Sequence, residues 1–137
     1  MITHLTQIDE SGTAFIDQVD PARFRYNEHL VLTASLDGVL ADNNGVTFER
    51  KDFDPPVGMI TRHGGSGRQP GVGGSLPVSS IEIPSDRHFR VFRLQVDTRL
   101  PAGQYGIVLS LFCRPEFQRY PFRRLVLKTK EPIITVT

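Results

Sequence analysis

The sequence contains one cysteine, no tryptophan and no pair of histidines at the short spacing of a metal motif. Because Cys113 has no second cysteine to pair with, it cannot form an internal disulfide, and alone it cannot build a structural zinc site. We therefore expect either a fold that needs no covalent cross-link or a protein of a reducing compartment, for which the cytoplasm is the default.

The chain also lacks a long apolar run. No stretch approaches the roughly 18 apolar residues that a membrane-spanning helix needs, so we expect no membrane insertion. The first ten residues, MITHLTQIDE, have neither the basic segment nor the apolar segment of a secretory signal. A chain whose leader had been removed would look the same.

Catalytic and metal-binding signatures are missing as well. Ser110 and Cys113 fall within a predicted strand and not on the exposed turn that presents a nucleophile. The carboxylates of FERKDFDPP, residues 48–56, match no calcium-loop spacing. The histidines are far apart and show neither HxH nor HExxH spacing: His4, His29, His63 and His88. The sequence therefore predicts no enzyme, no metal and no cofactor.

Alternating apolar and polar residues are abundant, whereas no window shows a helical apolar stripe. Alternation of this kind is typical of half-buried β-strands. The proline pair at positions 55 and 56 ends one predicted strand, and Pro132 marks a bulge or an edge in another. The predicted strands are HLVLTASL (29–36), GVTFERKDF (45–53), VGMITRH (57–63), LPVSSIEIP (76–84), HFRVFRLQV (88–96), QYGIVLSLFC (104–113) and RRLVLKTKEPIITVT (123–137).

The chain length of 137 residues fits one domain. The strand pattern predicts an all-β fold, an antiparallel β-sandwich of about seven to eight strands spanning 1–137. Residues 62–77 form a glycine-rich segment, predicted to be a long flexible loop. It contains neither GxGxxG nor GxxxxGK[ST], so it does not indicate a phosphate-binding loop.

Charge is distributed unevenly along the chain. Residues 1–60 hold ten acids and four bases, and residues 61–137 hold five acids and twelve bases. This asymmetry has two interpretations, charge complementarity within the domain or an anion-binding face. The pI of about 8.0 argues against nucleic acid, because phosphate-driven binding calls for a larger basic excess.

The stretch LPAGQYGIVLSLF, residues 100–112, resembles the corner between strands E and F of immunoglobulin-like and fibronectin-like domains. The resemblance implies that Leu100 and Gly103 shape the corner, and that the Tyr105 hydroxyl bonds back to upstream backbone. Antibody domains have a cysteine where this chain has Ile107, and they have a tryptophan that this chain lacks. The resemblance therefore does not extend to an antibody-type domain.

A looser resemblance covers more of the chain. ITHLTQIDESG, FRYNEHLVLTASL and LPAGQYGIVLSL follow one another as in the carbohydrate-binding C-terminal domains of polysaccharide-exporting ABC transporters. This resemblance implies glycan binding, but it matches scaffold positions and carries over no binding residue.

The stretch RPEFQRYPFRR, residues 114–124, combines arginines with aromatic rings in the predicted connection between the last two strands. Such a connection is expected to meet DGVLADNNG, residues 37–45, at one end of the sandwich. The predicted partner-binding residues are Arg114, Phe117, Arg119, Tyr120, Phe122, Arg123, Asn43 and Asn44. The alternative is that Phe117 and Phe122 fold back and close the end of the sandwich.

These features predict a non-catalytic recognition or assembly module that binds a protein partner through loops at one end of the sandwich. One alternative is a glycan-binding domain of a polysaccharide exporter. Another is a structural subunit of a phage virion or secretion apparatus, which would form a homo-oligomer.

Overall fold

The computed structural model describes residues 4–63, 75–97, 99–117, 123–130 and 132–137, and these residues form an all-β protein. Two single 3-10 turns, Arg50–Asp52 and Pro115–Phe117, interrupt the strands. Within the described ranges, no helix is long and apolar enough to cross a membrane. The strands are β1 (Leu5–Gln7), β2 (Thr13–Phe15), β3 (Gln18–Asp20), β4 (Arg23–Phe24), β5 (Leu30–Ser35), β6 (Val39–Ala41), β7 (Val57–His63), β8 (Ser75–Pro77), β9 (Ser80–Glu82), β10 (Val91–Val96), β11 (Gly103–Phe112), β12 (Arg124–Lys128) and β13 (Ile134–Val136).

The strands are arranged in two large sheets and one small pair. The four-stranded sheet has the order β3-β5-β10-β9. In the seven-stranded sheet, β11 pairs with β7 on one side and with both β12 and β13 on the other. Strand β8 extends this sheet beyond β7, and β2 and β4 extend it beyond β12 and β13. Strands β1 and β6 form the small parallel pair.

Alternation along the long strands produces the core. In β5, Leu30, Leu32 and Ala34 are buried, and in β11, Ile107 and Leu109 are buried, as the period of two predicts. The inward faces of both large sheets contribute to one hydrophobic cluster, which gives the protein a sandwich-like arrangement.

The C-terminal region is one strand split in two. β12 pairs with the second half of β11 and β13 with its first half, so both lie along the same edge. The interruption falls between residues 128 and 134, where Pro132 lies. This break agrees with the interruption that Pro132 predicts.

Three features differ from the sequence-based expectation. The predicted strand over 45–53 is wrong, because its second half forms the 3-10 turn Arg50–Asp52, where the Arg50 side chain donates to backbone carbonyl oxygens of another segment. The described residues contain thirteen strands, many of only two or three residues, and β1, β2 and β4 pair in parallel. Both ends of the predicted loop over 62–77 belong to β7 and β8, and residues 64–74 lie outside the described part.

Candidate functional site

Three connections between strands leave the sheets at the same end of the molecule. Ser35, where β5 ends, pairs with Val91, where β10 begins, so residues 36–56 and 83–90 adjoin. In the other sheet, Val57 at the start of β7 pairs with Ser110 of β11. Isolated bridges join residues 36–56 to the other two connections. Glu49 bridges to His88, within residues 83–90, and Phe53 bridges to Cys113, in the connection that follows β11.

An open groove of about 540 Å³ lies between these connections, and we call it the end groove. Phe53 and Phe89 form its buried floor, where the two rings meet edge to face with centroids 5.5 Å apart. Pro55, Pro56 and Ile81 add apolar surface at its side. The charged residues that line the groove are Arg50, Lys51, Asp54, Glu82, Asp86 and Arg114.

Arg50 fixes the position of residues 83–90 against the groove. Its Nη1 donates to the carbonyl oxygen of Ile83 at 3.1 Å and also to that of Ser85. Beside it, Arg87 donates to the Glu49 carboxylate at 3.2 Å, and this hydrogen bond lowers the pKa of Glu49 from its usual value. Arginine side chains thus hold the segment between β5 and β7 against the connection from β9 to β10.

Among the predicted site residues whose side chains the structure describes, Arg114 lines the end groove. Its Nε donates to the carbonyl oxygen of Phe53 at 3.2 Å and lies 3.7 Å from Oδ1 of Asp54. Its backbone N–H donates to the carbonyl oxygen of Asp52 at 2.9 Å. Arg114 therefore connects the segment after β11 to the segment before β7.

The other predicted site residues have different surroundings. Asn43 and Asn44 lie exposed in a turn organised by Asp42, whose carboxylate accepts from the backbone N–H of Asn44 at 2.9 Å. Arg123 is exposed, and its carbonyl oxygen accepts from the backbone N–H of Cys113 at 2.8 Å.

The predictions for Arg119, Tyr120 and Phe122, and for the side chain of Phe117, lie outside the described residues. The same holds for the alternative that these rings close the end of the sandwich.

Sequence reasoning missed the contribution of residues 81–89 to the groove. Nothing local in IEIPSDRHF indicates that Arg50, more than 30 positions earlier, binds its backbone. The proline pair and the mixed charges of FERKDFDPP are a visible signal in the sequence, but by themselves they indicate a strand end and turn carboxylates and not a groove. Among the described residues, no group of three or more histidine, cysteine, aspartate or glutamate side chains is placed to hold a metal ion.

The corner predicted around Tyr105 lies near the other end of β11, where Tyr105 pairs with Arg62 and Ile134. The Tyr105 hydroxyl donates to the carbonyl oxygen of Pro101 at 2.5 Å, and burial raises the pKa of this phenol above its usual value. Leu100 is fully buried, and Gly103 has a φ of 155°, a conformation that favours glycine.

The chain matches no protein-family model, and no curated protein sequence is significantly similar to it.

Proposed function

We propose that the protein is a non-catalytic recognition module that binds a protein partner in the end groove. The observation that supports this proposal is the convergence of three connections, from both large sheets, on one open groove. Loops on a rigid β-scaffold are a frequent place for binding sites, because the scaffold keeps them in position while their sequences vary.

The lining of the groove suits a peptide segment of a partner protein. Lys51 and Asp86 are exposed charges of opposite sign, and Pro55, Pro56 and Ile81 offer apolar contacts in the same groove. A mixed rim around an apolar strip is the usual composition of a non-obligate protein interface.

Preorganisation also supports binding at this place. Arg50 and Arg114 bind backbone carbonyl oxygens across the groove, which restricts the connections before a partner arrives. A restricted loop loses less conformational entropy when it binds, so more of the contact energy appears as affinity.

We also propose that the sandwich is immunoglobulin-like. The orders β3-β5-β10-β9 and β2-β12-β11-β7-β8 resemble the ABED and GFC sheets of that fold, with β7 and β8 in the positions of strands C and C′. The hydrogen bond from Tyr105 to Pro101 fits the tyrosine corner of the same family.

Site-specific photo-crosslinking tests the proposed binding site. A photoreactive amino acid at position 51 should give an adduct with one protein in the producing cells, whereas the same residue at Val31, exposed on the four-stranded sheet, should not. The captured protein is then purified, and its affinity is measured by calorimetry against the unmodified chain and against Lys51→Glu and Asp86→Lys variants. Each variant should bind at least about tenfold more weakly, which corresponds to about 1.4 kcal/mol.

The result that would overturn the proposal is equally specific. If the purified partner binds both charge-reversal variants as tightly as the original chain, the end groove is not the binding site. Circular dichroism of each variant shows whether the fold is retained, and Gln95→Ala on the exposed face of β10 is the matched surface control.

A further inference from the structure

The surface of the seven-stranded sheet that faces away from the core, which we call the outer face, is basic along its strands. None of the seven strands of this sheet contains an aspartate or a glutamate, whereas strand register places the basic residues Arg23, Arg124 and Lys128 on the outer face. Lys130 lies two residues beyond the end of β12. The four-stranded sheet, in contrast, includes Asp20 and Glu82. Arg124, Lys128 and Lys130 thus form a basic group at and just beyond β12.

Exposed apolar side chains occupy the same outer face. Val57 is 54% exposed, Phe112 39% and Phe15 37%, and all three belong to strands of this sheet. Strand register places Met59 beside Val108, Val108 beside Lys128 and Lys128 beside Phe15, in one row across four strands. Isolated exposed apolar residues are normal, but a continuous group with a charged border indicates an interaction surface.

The cations on this face are held in defined positions beside aromatic rings. The ammonium groups of Lys128 and Lys130 lie 6.0 and 5.0 Å from the centroid of the Phe15 ring. The Arg124 guanidinium lies 5.9 Å from the centroid of the Phe112 ring, and its Nη2 donates to the Ser110 hydroxyl at 2.8 Å. Cation–π contacts of this length are attractive, so the charges are arranged around the rings before any partner binds.

A shallow depression lies between these groups. A groove of about 490 Å³ is lined by Phe15, Thr61, Val108 and Lys128, and Gly106 forms part of it because it has no side chain to fill the sheet surface there. An apolar side chain of a partner would fit this depression while acidic groups beside it reach the lysines.

The area of the outer face is suitable for a protein interface. Five strands about 4.8 Å apart give a width of about 24 Å, and the ten residues of β11 give a length of about 34 Å. The resulting footprint has an upper bound of about 800 Å², near the roughly 800 Å² that each partner contributes to a stable interface.

We propose that the outer face docks a protein partner whose contact surface combines an apolar strip with flanking carboxylates. Charge complementarity selects this partner, because the strands of the face offer basic groups and no acid of their own. A second copy of the chain fits poorly, since a two-fold axis through this face would set Arg124, Lys128 and Lys130 against the same residues. Nucleic acid fits less well too, because Val57, Met59 and Val126 would meet phosphates.

A pair of designed peptides tests this proposal. The probe is an amphipathic helical peptide whose leucine stripe is flanked by glutamates, and the control peptide has lysine at each glutamate position. Titration of the isotope-labelled protein, followed by NMR, should shift the amide signals of Val108, Val126 and Phe15 with the acidic peptide. The lysine peptide should bind at least about tenfold more weakly.

Charge variants connect the signal to the outer face. Lys128→Glu with Lys130→Glu should weaken binding of the acidic peptide at least about tenfold. Arg90→Glu with Arg93→Glu makes the same change in charge on and beside β10 and should leave binding within about twofold. Val108→Asp gives a second variant at the centre of the face, and thermal unfolding confirms that each variant folds.

Several outcomes would overturn the proposal. The first is equal binding of the acidic and the lysine peptide. The second is an unchanged NMR signal at Val108 and Val126, and the third is an unchanged affinity of the Lys128→Glu, Lys130→Glu protein for the acidic peptide. Tighter binding of oligothymidylate or a heparin fragment at the same ionic strength would indicate a general polyanion site instead. If the protein dimerises with rising concentration and Lys128→Glu with Lys130→Glu abolishes the dimer, the partner on the outer face is a second copy of the chain.

Discussion

At the scale of single residues, arginine side chains bind backbone carbonyl oxygens of segments far away in the sequence. An arginine can do this because its guanidinium offers several N–H donors in a fixed plane, so one side chain can reach more than one carbonyl. Replacement of such an arginine by lysine is not conservative. The pairs are Arg50 with Ile83 and Ser85, Arg62 with Ala102, Arg90 with Asp37, and Arg114 with Phe53.

Tyr105 offers the sharpest test at this scale. Replacement by phenylalanine removes the hydrogen bond to Pro101 and keeps the buried ring, so we expect a loss of about 0.5–1.5 kcal/mol in the free energy of unfolding. Urea unfolding measures this loss. Tyr26→Phe is the control, because Tyr26 is 51% exposed and its change should stay within about 0.5 kcal/mol. Equal effects of the two substitutions would show that the Tyr105 hydroxyl contributes nothing.

The same phenol predicts a loss of stability in alkali. Burial raises the pKa of Tyr105 in the folded protein, whereas in the unfolded chain it stays near its ordinary value of about 10. The unfolded state therefore ionises first, and the contribution of this group is full below pH of about 10 and falls as the pH rises further. Unfolding curves above pH 10 should show a smaller decline for Tyr105→Phe than for the original chain.

At the scale of elements, the short pair of β1 and β6 depends on a close approach of two backbones. A β-carbon added at Gly38 would lie 2.6 Å from the carbonyl carbon of His4 and 2.7 Å from the nitrogen of Leu5. Backbone atoms cannot move aside as a side-chain end can, so β1 would have to shift away from β6. Glycine is required here by space and not by an unusual φ.

We expect Gly38→Ala to destabilise the fold by about 1–3 kcal/mol, the usual cost of overpacking. Hydrogen exchange should become faster at the amides of Val39 and Ile8, which donate to His4 and Ala41 across this pair. Asn44→Ala, an exposed change nearby, should leave both exchange rates as they are. An unchanged exchange pattern in Gly38→Ala would mean that β1 does not need this glycine.

The strands differ in how well the sequence predicts them. β5, β10 and β11 follow from alternation alone, because each is long and has one face in the core. The strand predicted over 45–53 does not form, because the hydrogen bonds of Arg50 to a distant segment outweigh the strand propensity of VTF. Strands β2 and β4 have two or three residues and pair in parallel with the far end of the chain, which leaves no local signal.

The candidate site was predictable only in part, for the same physical reason. Arg114 was found because arginine and aromatic residues concentrate in 114–124, a compositional feature that a reader of the sequence can see. The remaining groove residues come together through sheet register and arginine bonds between distant segments. Asn43 and Asn44 have turn-forming composition, and the structure places them in a turn of their own.

At the scale of the whole molecule, one hydrophobic cluster includes residues of both large sheets. We therefore predict that the described ranges unfold together as one domain. Leu109 is fully buried within this cluster, and Leu109→Ala should lower the free energy of unfolding by about 2–5 kcal/mol. Circular dichroism and tyrosine fluorescence in urea should both show the same shift.

Val31→Ala is the matched control for this substitution. Val31 is 58% exposed on the four-stranded sheet, so its truncation should cost no more than about 0.5 kcal/mol. Two separate transitions, or a shift seen by only one of the two probes, would contradict cooperative unfolding through a shared core.

The short parallel strands β2 and β4 have a consequence for self-association. They cover the sides of β12 and β13 that face away from β11, where an uncovered strand would present free N–H and C=O groups. Open edges of this kind recruit strands from other molecules and begin fibril growth. By placing small pieces of its own N-terminal region there, the chain covers two stretches of edge that would otherwise be open to strands of neighbouring molecules.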